Sequence, residues 1–356
     1  MDISHRDGAI KGSVSGRTAL EPIDIGPLLG VSTSSTESPA AVLSVADAID
    51  SACRNVGFFT VVGHGVAAGL REELEDLSRE FFASDDTEKS EISMALGGVA
   101  WRGWFPVGNE LTSGQPDIKE GIYFGTELPP EDPRVLAGRP LHGPNLWPER
   151  PARFRRVVEQ WMAEMDRVGR AVLSAMAIGL GLEAMWFETN LISDPIQLFR
   201  IFHYPRVDPD PGAETWGVGA HTDYGLLTLL AQDRSGGLEV DINGEWVPVA
   251  ANPDALVCNI GDMLDRMTSG RYRSTLHRVR PPSQSSRLSF PFFFDPGWDV
   301  EVKPLPVDED VDAGGKGIAD LQRWDGTVLE DLKGTYGEYL IMKVARVFPD
   351  LASEVM

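Results

Sequence analysis

The 356 residues carry 54 acidic against 32 basic side chains, a formal charge of −22, and such a surface repels the phosphate backbone of a nucleic acid. A hydrophobic content of 42% is ample for a sizeable core. Cys53 and Cys258 are too few for a disulfide framework and read as reduced core thiols, which points to a cytoplasmic protein.

Residues 1–20 are polar, read as a loosely ordered tail, and lack the apolar core of a signal peptide. Ile23-Asp24-Ile25 alternates like a short strand, and Ser32 to Pro39 is a Ser/Thr/Pro-rich loop. Apolar residues recur at helical spacing from Ala41 to Val56. Gly57 to Val62 then reads as a buried strand ending in Gly63-His64-Gly65, and a second helix is predicted over Gly69 to Ala83. Residues 100–150 predict irregular chain with short strands such as Gly121 to Phe124. The longest helix pattern runs from Pro151 to Gly181, with proline in its first turn and glycine at its end. Its apolar stretch, Ala171 to Leu182, is too short to span a bilayer.

From Gln197 to Phe294 short Val-, Leu-, Ile- and Phe-rich runs are broken by turn signals at Asp208-Pro-Asp-Pro-Gly, Asp233-Arg-Ser-Gly-Gly, Asn243-Gly, Asn252-Pro-Asp and Pro281-Pro-Ser. That rhythm predicts an antiparallel barrel or jelly roll. An acidic loop at Pro304 to Lys316 and a C-terminal helical segment at Thr327 to Phe348 follow. The expected organisation is one integrated unit, mainly β with flanking helices. It comprises the tail 1–20, an N-terminal α/β region 21–195 with the long helix, a β core 196–300 and a C-terminal segment 301–356.

His221 and Asp223, separated only by Thr222, would share one strand face, because side chains alternate with period two. With His277 they make two imidazoles and a carboxylate, the ligand set of a non-haem Fe(II) site that keeps open positions. Asp223 and His277 stand 54 positions apart. At roughly ten residues per strand and turn that is about five strands, so ligands near the second and seventh strands of a jelly roll would face one another. Ten residues beyond His277, Arg287 and Ser289 share a face as a cationic fork and a hydroxyl suited to a carboxylate. Arg200, Phe202 and Tyr204 alternate upstream, with His203 pointing the other way, and Tyr204 can donate to the same carboxylate. A metal with open coordination beside a carboxylate clamp suits an oxygenase fed by a 2-oxo acid.

His221-Thr-Asp223, His277, Arg287-Leu-Ser289, Tyr204-Pro205 and Gly57-Phe-Phe-Thr-Val-Val-Gly-His-Gly65 resemble the isopenicillin N synthase-like family of 2-oxoglutarate/Fe(II) dioxygenases. The stretches from Gly114 to Phe124 and from Pro140 to Pro148 are similar to its microbial branch. The resemblance covers most of the chain. It implies a double-stranded β-helix core with an N-terminal helical region and a C-terminal helix. It further implies iron held by His221, Asp223 and His277, and 2-oxoglutarate held by Arg287, Ser289 and Tyr204. Phe202 departs from the family, where many members carry asparagine in that strand, so a polar contact to the cosubstrate is lost.

The expected function is therefore an Fe(II)-, 2-oxoglutarate- and O2-dependent oxygenase that hydroxylates, desaturates or cyclises a small molecule. Asp223 argues against a halogenase. An oxidase that uses no 2-oxoglutarate, an ethylene-forming type and a non-catalytic β-barrel binder are the alternatives. Arg200 reads equally as an inward substrate anchor or a strand-edge arginine, and Phe202 and Phe293 as pocket walls or core. Tyr224, Phe292 and Phe294 read as core or rim residues, and His64, His142 and His203 as structural. The acidic run Asp308 to Asp312 lacks the spacing of a calcium loop. No nucleic-acid or membrane partner is expected, and the chain is expected to be a monomer or weak homo-oligomer.

Overall fold

The computed structural model describes residues 20–30, 38–112, 114–208, 215–307 and 334–347. The predicted tail up to residue 19, the Ser/Thr/Pro loop up to residue 37, most of the acidic loop and the start of the C-terminal segment lie outside them, while Pro39, expected to close that loop, instead opens a helix. No helix among the described residues is long and apolar enough to cross a membrane.

The N-terminal strands are short. β1 (Pro22–Asp24) runs parallel to β2 (Phe58–Val62), and β3 (Gly103–Phe105) pairs with β6 (Glu120–Gly125). Between these, β4 (Leu111–Thr112) and β5 (Gln115–Pro116) form a two-residue ladder. The turn-punctuated runs predicted after residue 195 become eight strands. They are β7 (Pro195–Tyr204), β8 (Val218–His221), β9 (Leu227–Gln232) and β10 (Leu238–Ile242), then β11 (Glu245–Pro248), β12 (Leu256–Ile260), β13 (His277–Val279) and β14 (Arg287–Gly297).

Two sheets result. The larger has the order β1-β2-β12-β9-β14-β7-β6-β3 and the smaller β11-β10-β13-β8. The last eight strands are thus divided four and four between facing sheets, which is the jelly roll. The N-terminal strands extend the larger sheet at both edges, so the region before residue 195 is hydrogen-bonded into the same sheet as the core.

β14 shows how one strand serves two environments. Arg287, Ser289, Pro291, Phe293 and Asp295 line the cavity between the sheets. Leu288, Phe290, Phe292 and Phe294 point the other way and are buried, as period-two alternation requires. That outer face is covered by the helix Phe154–Gly179, whose Val157, Trp161, Met165, Val168 and Val172 recur at helical spacing and are fully or almost fully buried. Each such side chain contributes about 1.5–3 kcal/mol through burial. A Cβ on Gly169 would stand 2.6 Å from Phe294 Cδ2, so glycine is what lets the helix seat this closely on β14.

The predicted helix ends move by a few residues for local reasons. Pro151 stands in a turn whose carbonyl accepts from the Phe154 N–H at 3.0 Å, and the helix starts after it. At the other end Gly181 has φ +78°, and Leu182 N–H reaches Ala177 O at 2.8 Å while Gly181 N–H reaches Ile178 O at 2.9 Å. This pair of bonds is a Schellman stop. The helices Pro39–Asn55 and Ala68–Phe82 pack on the long helix. Tyr336–Val347 forms the C-terminal helix at the cavity mouth, where Leu340, Lys343 and Val344 join its wall.

Candidate active site

His221 and His277 are register partners across β8 and β13. Antiparallel pairing therefore does what the linear spacing suggested: it sets two distant imidazoles side by side, ring centroids 4.2 Å apart. Asp223 lies two residues beyond the end of β8 rather than on it, which corrects the expectation of a shared strand face. Its main-chain carbonyl accepts from Asp262 N–H at 2.7 Å, and this holds the turn against the neighbouring helix start. From there Asp223 Oδ1 sits 3.8 Å from His221 Nε2 and 3.7 Å from His277 Nε2. One ligand atom from each of the three residues lies within 4.8 Å of the others.

The surroundings prepare these atoms for a cation. His221 Nδ1 faces Gly219 O at 2.8 Å and His277 Nδ1 faces Thr275 O at 3.2 Å. A carbonyl only accepts, so each Nδ1 carries the proton and each Nε2 presents its lone pair. Asp223 Oδ2 accepts from Thr228 Oγ1 at 2.6 Å and Asn259 Nδ2 at 2.7 Å, which leaves Oδ1 turned to the imidazoles. Burial lowers both histidine pKa values, His277 to about 4 with help from the His221 charge. Asp223 is pushed up by burial, but the two histidines and its hydrogen bonds outweigh this and lower it. Neutral imidazoles and an ionised carboxylate are the forms a divalent metal binds.

The second group is centred on Arg287, which is register-paired with Tyr204 across β14 and β7. Its guanidinium lies 4.6 Å from the Tyr204 ring centre, and Ser289 Oγ is 3.4 Å from the Tyr204 hydroxyl. Arg287 Nε donates to Gly236 O at 2.6 Å and Nη2 to Gln232 Oε1 at 3.4 Å. Both acceptors are neutral, and Nη1 is buried with no hydrogen-bond partner among the described residues. A buried guanidinium edge without a partner costs free energy until an anion meets it. The residues therefore fit a carboxylate such as that of a 2-oxo acid.

Both groups open into one cavity of about 490 Å³, within the usual range for small-molecule sites. Arg200, Phe202 and Phe293 also line it. His203 points away as expected, paired with Glu120 at 2.9 Å and stacked on Phe82. Phe292 and Phe294 are core residues. Tyr224, expected as core or rim, is partly buried against the core and also lines the cavity. His64 and His142 are taken up by local main-chain bonds to Val66 and Pro140.

Several cavity residues had no signal in the sequence. Glu110 and Lys119 are buried there and joined by a 3.0 Å ion pair. Asp117 sits 2.5 Å from the Lys119 ammonium. Asp295 is buried in the wall, with Oδ2 accepting from the Tyr336 hydroxyl at 2.7 Å. Of these, Asp117 and Lys119 lay in a stretch that carried the family resemblance, and nothing in that stretch marked them as buried.

Comparison with known proteins agrees with this geometry. Residues 20–150 match the family model described as non-haem dioxygenase in morphine synthesis N-terminal, and residues 195–296 match that of the 2OG-Fe(II) oxygenase superfamily. A protein of Dictyostelium discoideum named "Probable iron/ascorbate oxidoreductase" is 41% identical, over 86% of this chain and 90% of its own. A homoarginine-6-hydroxylase of Oryza sativa subsp. japonica is 36% identical, over 93% of this chain and 98% of its own. The crystal structure of a 2OG-Fe(II) oxygenase family protein from Caulobacter crescentus superposes with a TM-score of 0.73 at 28% identity, covering 92% of this chain and 99% of that one. The chain belongs to the 2OG-Fe(II) oxygenase superfamily and is a 2-oxoglutarate/Fe(II)-dependent oxygenase, working with Fe(II), 2-oxoglutarate and O2.

Proposed function

We propose that His221, Asp223 and His277 hold the Fe(II), and that Arg287, Ser289 and Tyr204 hold the far carboxylate of 2-oxoglutarate. One observation carries this reading: three ligand atoms within 4.8 Å of one another share a cavity with a buried guanidinium nitrogen that has no partner among the described residues. When bound, Fe(II) with 2-oxoglutarate and O2 supplies the oxidant for a C–H bond, with release of succinate and CO2. The chain's own part is to orient and to exclude water. Gly219 O and Thr275 O fix the imidazole tautomers, Thr228 and Asn259 fix the carboxylate, and Arg287 sets the direction from which the cosubstrate enters.

The oxidised partner is a small molecule that enters beside Arg200, Phe202 and Phe293. The rice relative is named for homoarginine, and an amino acid is the substrate class we carry over. Two buried free thiols are consistent with a reducing cytoplasmic setting. We read residues 21–195, 196–300 and 301–356 as parts of one catalytic unit.

Anaerobic addition of Fe(II) and 2-oxoglutarate tests the assignment. A weak visible charge-transfer band is expected, and it should vanish in Asp223→Ala together with succinate release in air. Metal-loaded wild type without the band would favour an oxidase that uses no 2-oxoglutarate, while ethylene in the headspace would mark the fragmenting type.

A further inference from the structure

Arg200 is a cation with almost nothing to hold. Its guanidinium sits 4.0 Å from the centre of the Tyr123 ring and 4.7 Å from that of Phe293, sandwiched rather than hydrogen-bonded. Among the described residues its one ion-pair contact is Glu110, at 3.7 Å from Nη1, too long for a hydrogen bond, with Asp223 and Asp295 acting on its charge from further off. Nε is buried and has no partner among the described residues. A guanidinium that lines a cavity and makes no hydrogen bond among the described residues is a site open to an anion.

The anion that answers Arg200 must also satisfy Glu110. That carboxylate accepts from Tyr123 Oη at 2.7 Å and pairs with Lys119 at 3.0 Å. Two oxygens offer about four acceptor positions, so it has capacity left on the cavity side. Lys119 is by contrast taken up, between Glu110, Asp117 and the face of Phe202. This local cluster is balanced, Arg200 and Lys119 against Glu110 and Asp117. A ligand with net charge would upset that balance in a poorly hydrated cavity.

We propose that Glu110 and Arg200 form a dipolar subsite for the head group of an α-amino acid, with its carboxylate on Arg200 and its ammonium on Glu110. Two opposite charges 3.7 Å apart call for two opposite charges equally close in the ligand, and that is the geometry of an α-amino acid rather than of a chain charged at both ends. The subsite is separate from the Arg287 clamp, whose arginine has no acid beside it. The aromatic lining from Phe202 and Phe293 then directs the substrate side chain toward the ligand cluster. This inference rests on the assignment of iron and cosubstrate to the same cavity.

The test uses the holoenzyme with Fe(II) and 2-oxoglutarate, and reads the anaerobic charge-transfer band and succinate release in air. The probes are L-arginine and L-leucine, their methyl esters, their N-acetyl derivatives, and the matching amines and acids that carry one charge. At least one free amino acid should perturb the band and raise succinate release. Its ester and N-acetyl forms should need about 10- to 100-fold higher concentration, since each loses one charge-assisted pair. Arg200→Gln should abolish the preference for acid over ester, and Glu110→Gln that for amine over N-acetyl. Because both sites are buried and a variant can fail to fold, the wild-type panel stands as an independent measurement. Singly charged compounds that act as well as the dipolar ones would overturn the subsite. So would a wild-type band that no free amino acid alters. Absence of the band in wild type would instead sink the cosubstrate assignment.

Discussion

Arg287 and Lys119 are both cations buried in the wall of one cavity, yet only Lys119 has acids beside it. Lys119 lies within 3.0 Å of Glu110 and 2.5 Å of Asp117, while Arg287 meets a carbonyl, an amide oxygen and an aromatic face. The wall around Lys119 is electrically complete and holds itself together. The wall around Arg287 lacks an anion, and a ligand has to supply it. The difference separates charge used for architecture from charge reserved for binding, and it is visible only in what each cation touches.

Substitution sharpens that contrast. Lys119→Met would leave Glu110 and Asp117 buried without their cation, and a loss of about 3–5 kcal/mol in unfolding free energy is expected. Arg287→Met strands no buried acid, so its stability should change by less than about 2 kcal/mol, while the KM for 2-oxoglutarate rises by about 30-fold or more, as expected when one side of a buried charge pair is cut away. Denaturant melts and initial-rate kinetics on the two proteins decide the matter. Equal destabilisation, or an unchanged KM in Arg287→Met, would erase the distinction.

A smaller effect is expected behind the ligand carboxylate. Asn259→Ala removes one of two hydrogen bonds to Asp223 Oδ2 and should weaken iron binding by about 10- to 100-fold without removing a ligand. Titration of metal-free protein with Fe(II) under nitrogen reads this directly.

A separate, pH-dependent effect concerns an acid that neither wall neutralises. Burial raises the pKa of Asp295 to about 7, despite the Tyr336 hydrogen bond and the Arg200 charge, which pull it down. An unfolded chain would release that proton near pH 4. The folded protein therefore binds more protons in between, and the stability from this group is full below about pH 4 and is lost as pH rises through about 7. Melting temperatures of metal-free wild type should fall across that window more steeply than those of Asp295→Asn. Parallel curves would show that Asp295 does not hold its proton.

The legible residues are those whose geometry follows from strand periodicity. Arg287 and Ser289, like Arg200, Phe202 and Tyr204, face the cavity because alternate residues of a strand must share a side. His277 was placed opposite His221 by counting strands, and the register confirms the arithmetic. Asp223 shows where that reasoning stops, since its strand ends two residues earlier and main-chain bonds to a neighbouring helix aim it. Glu110, Asp117 and Lys119 looked like ordinary polar residues in an irregular segment. Their burial depends on β6 lying against β7 and on Phe202 roofing the lysine, neither of which local pattern records.

The amino-acid order alone determined the jelly roll, the facing histidines and the arginine–serine pair, because side-chain alternation and turn chemistry act over a few residues and leave a readable rhythm. Tertiary structure alone decided which charges are neutralised and which are left for a ligand. The energy of a buried charge depends on whatever chain happens to pack within a few ångströms of it, and for Lys119, Arg200 and Asp295 that includes chain brought from distant parts of the sequence.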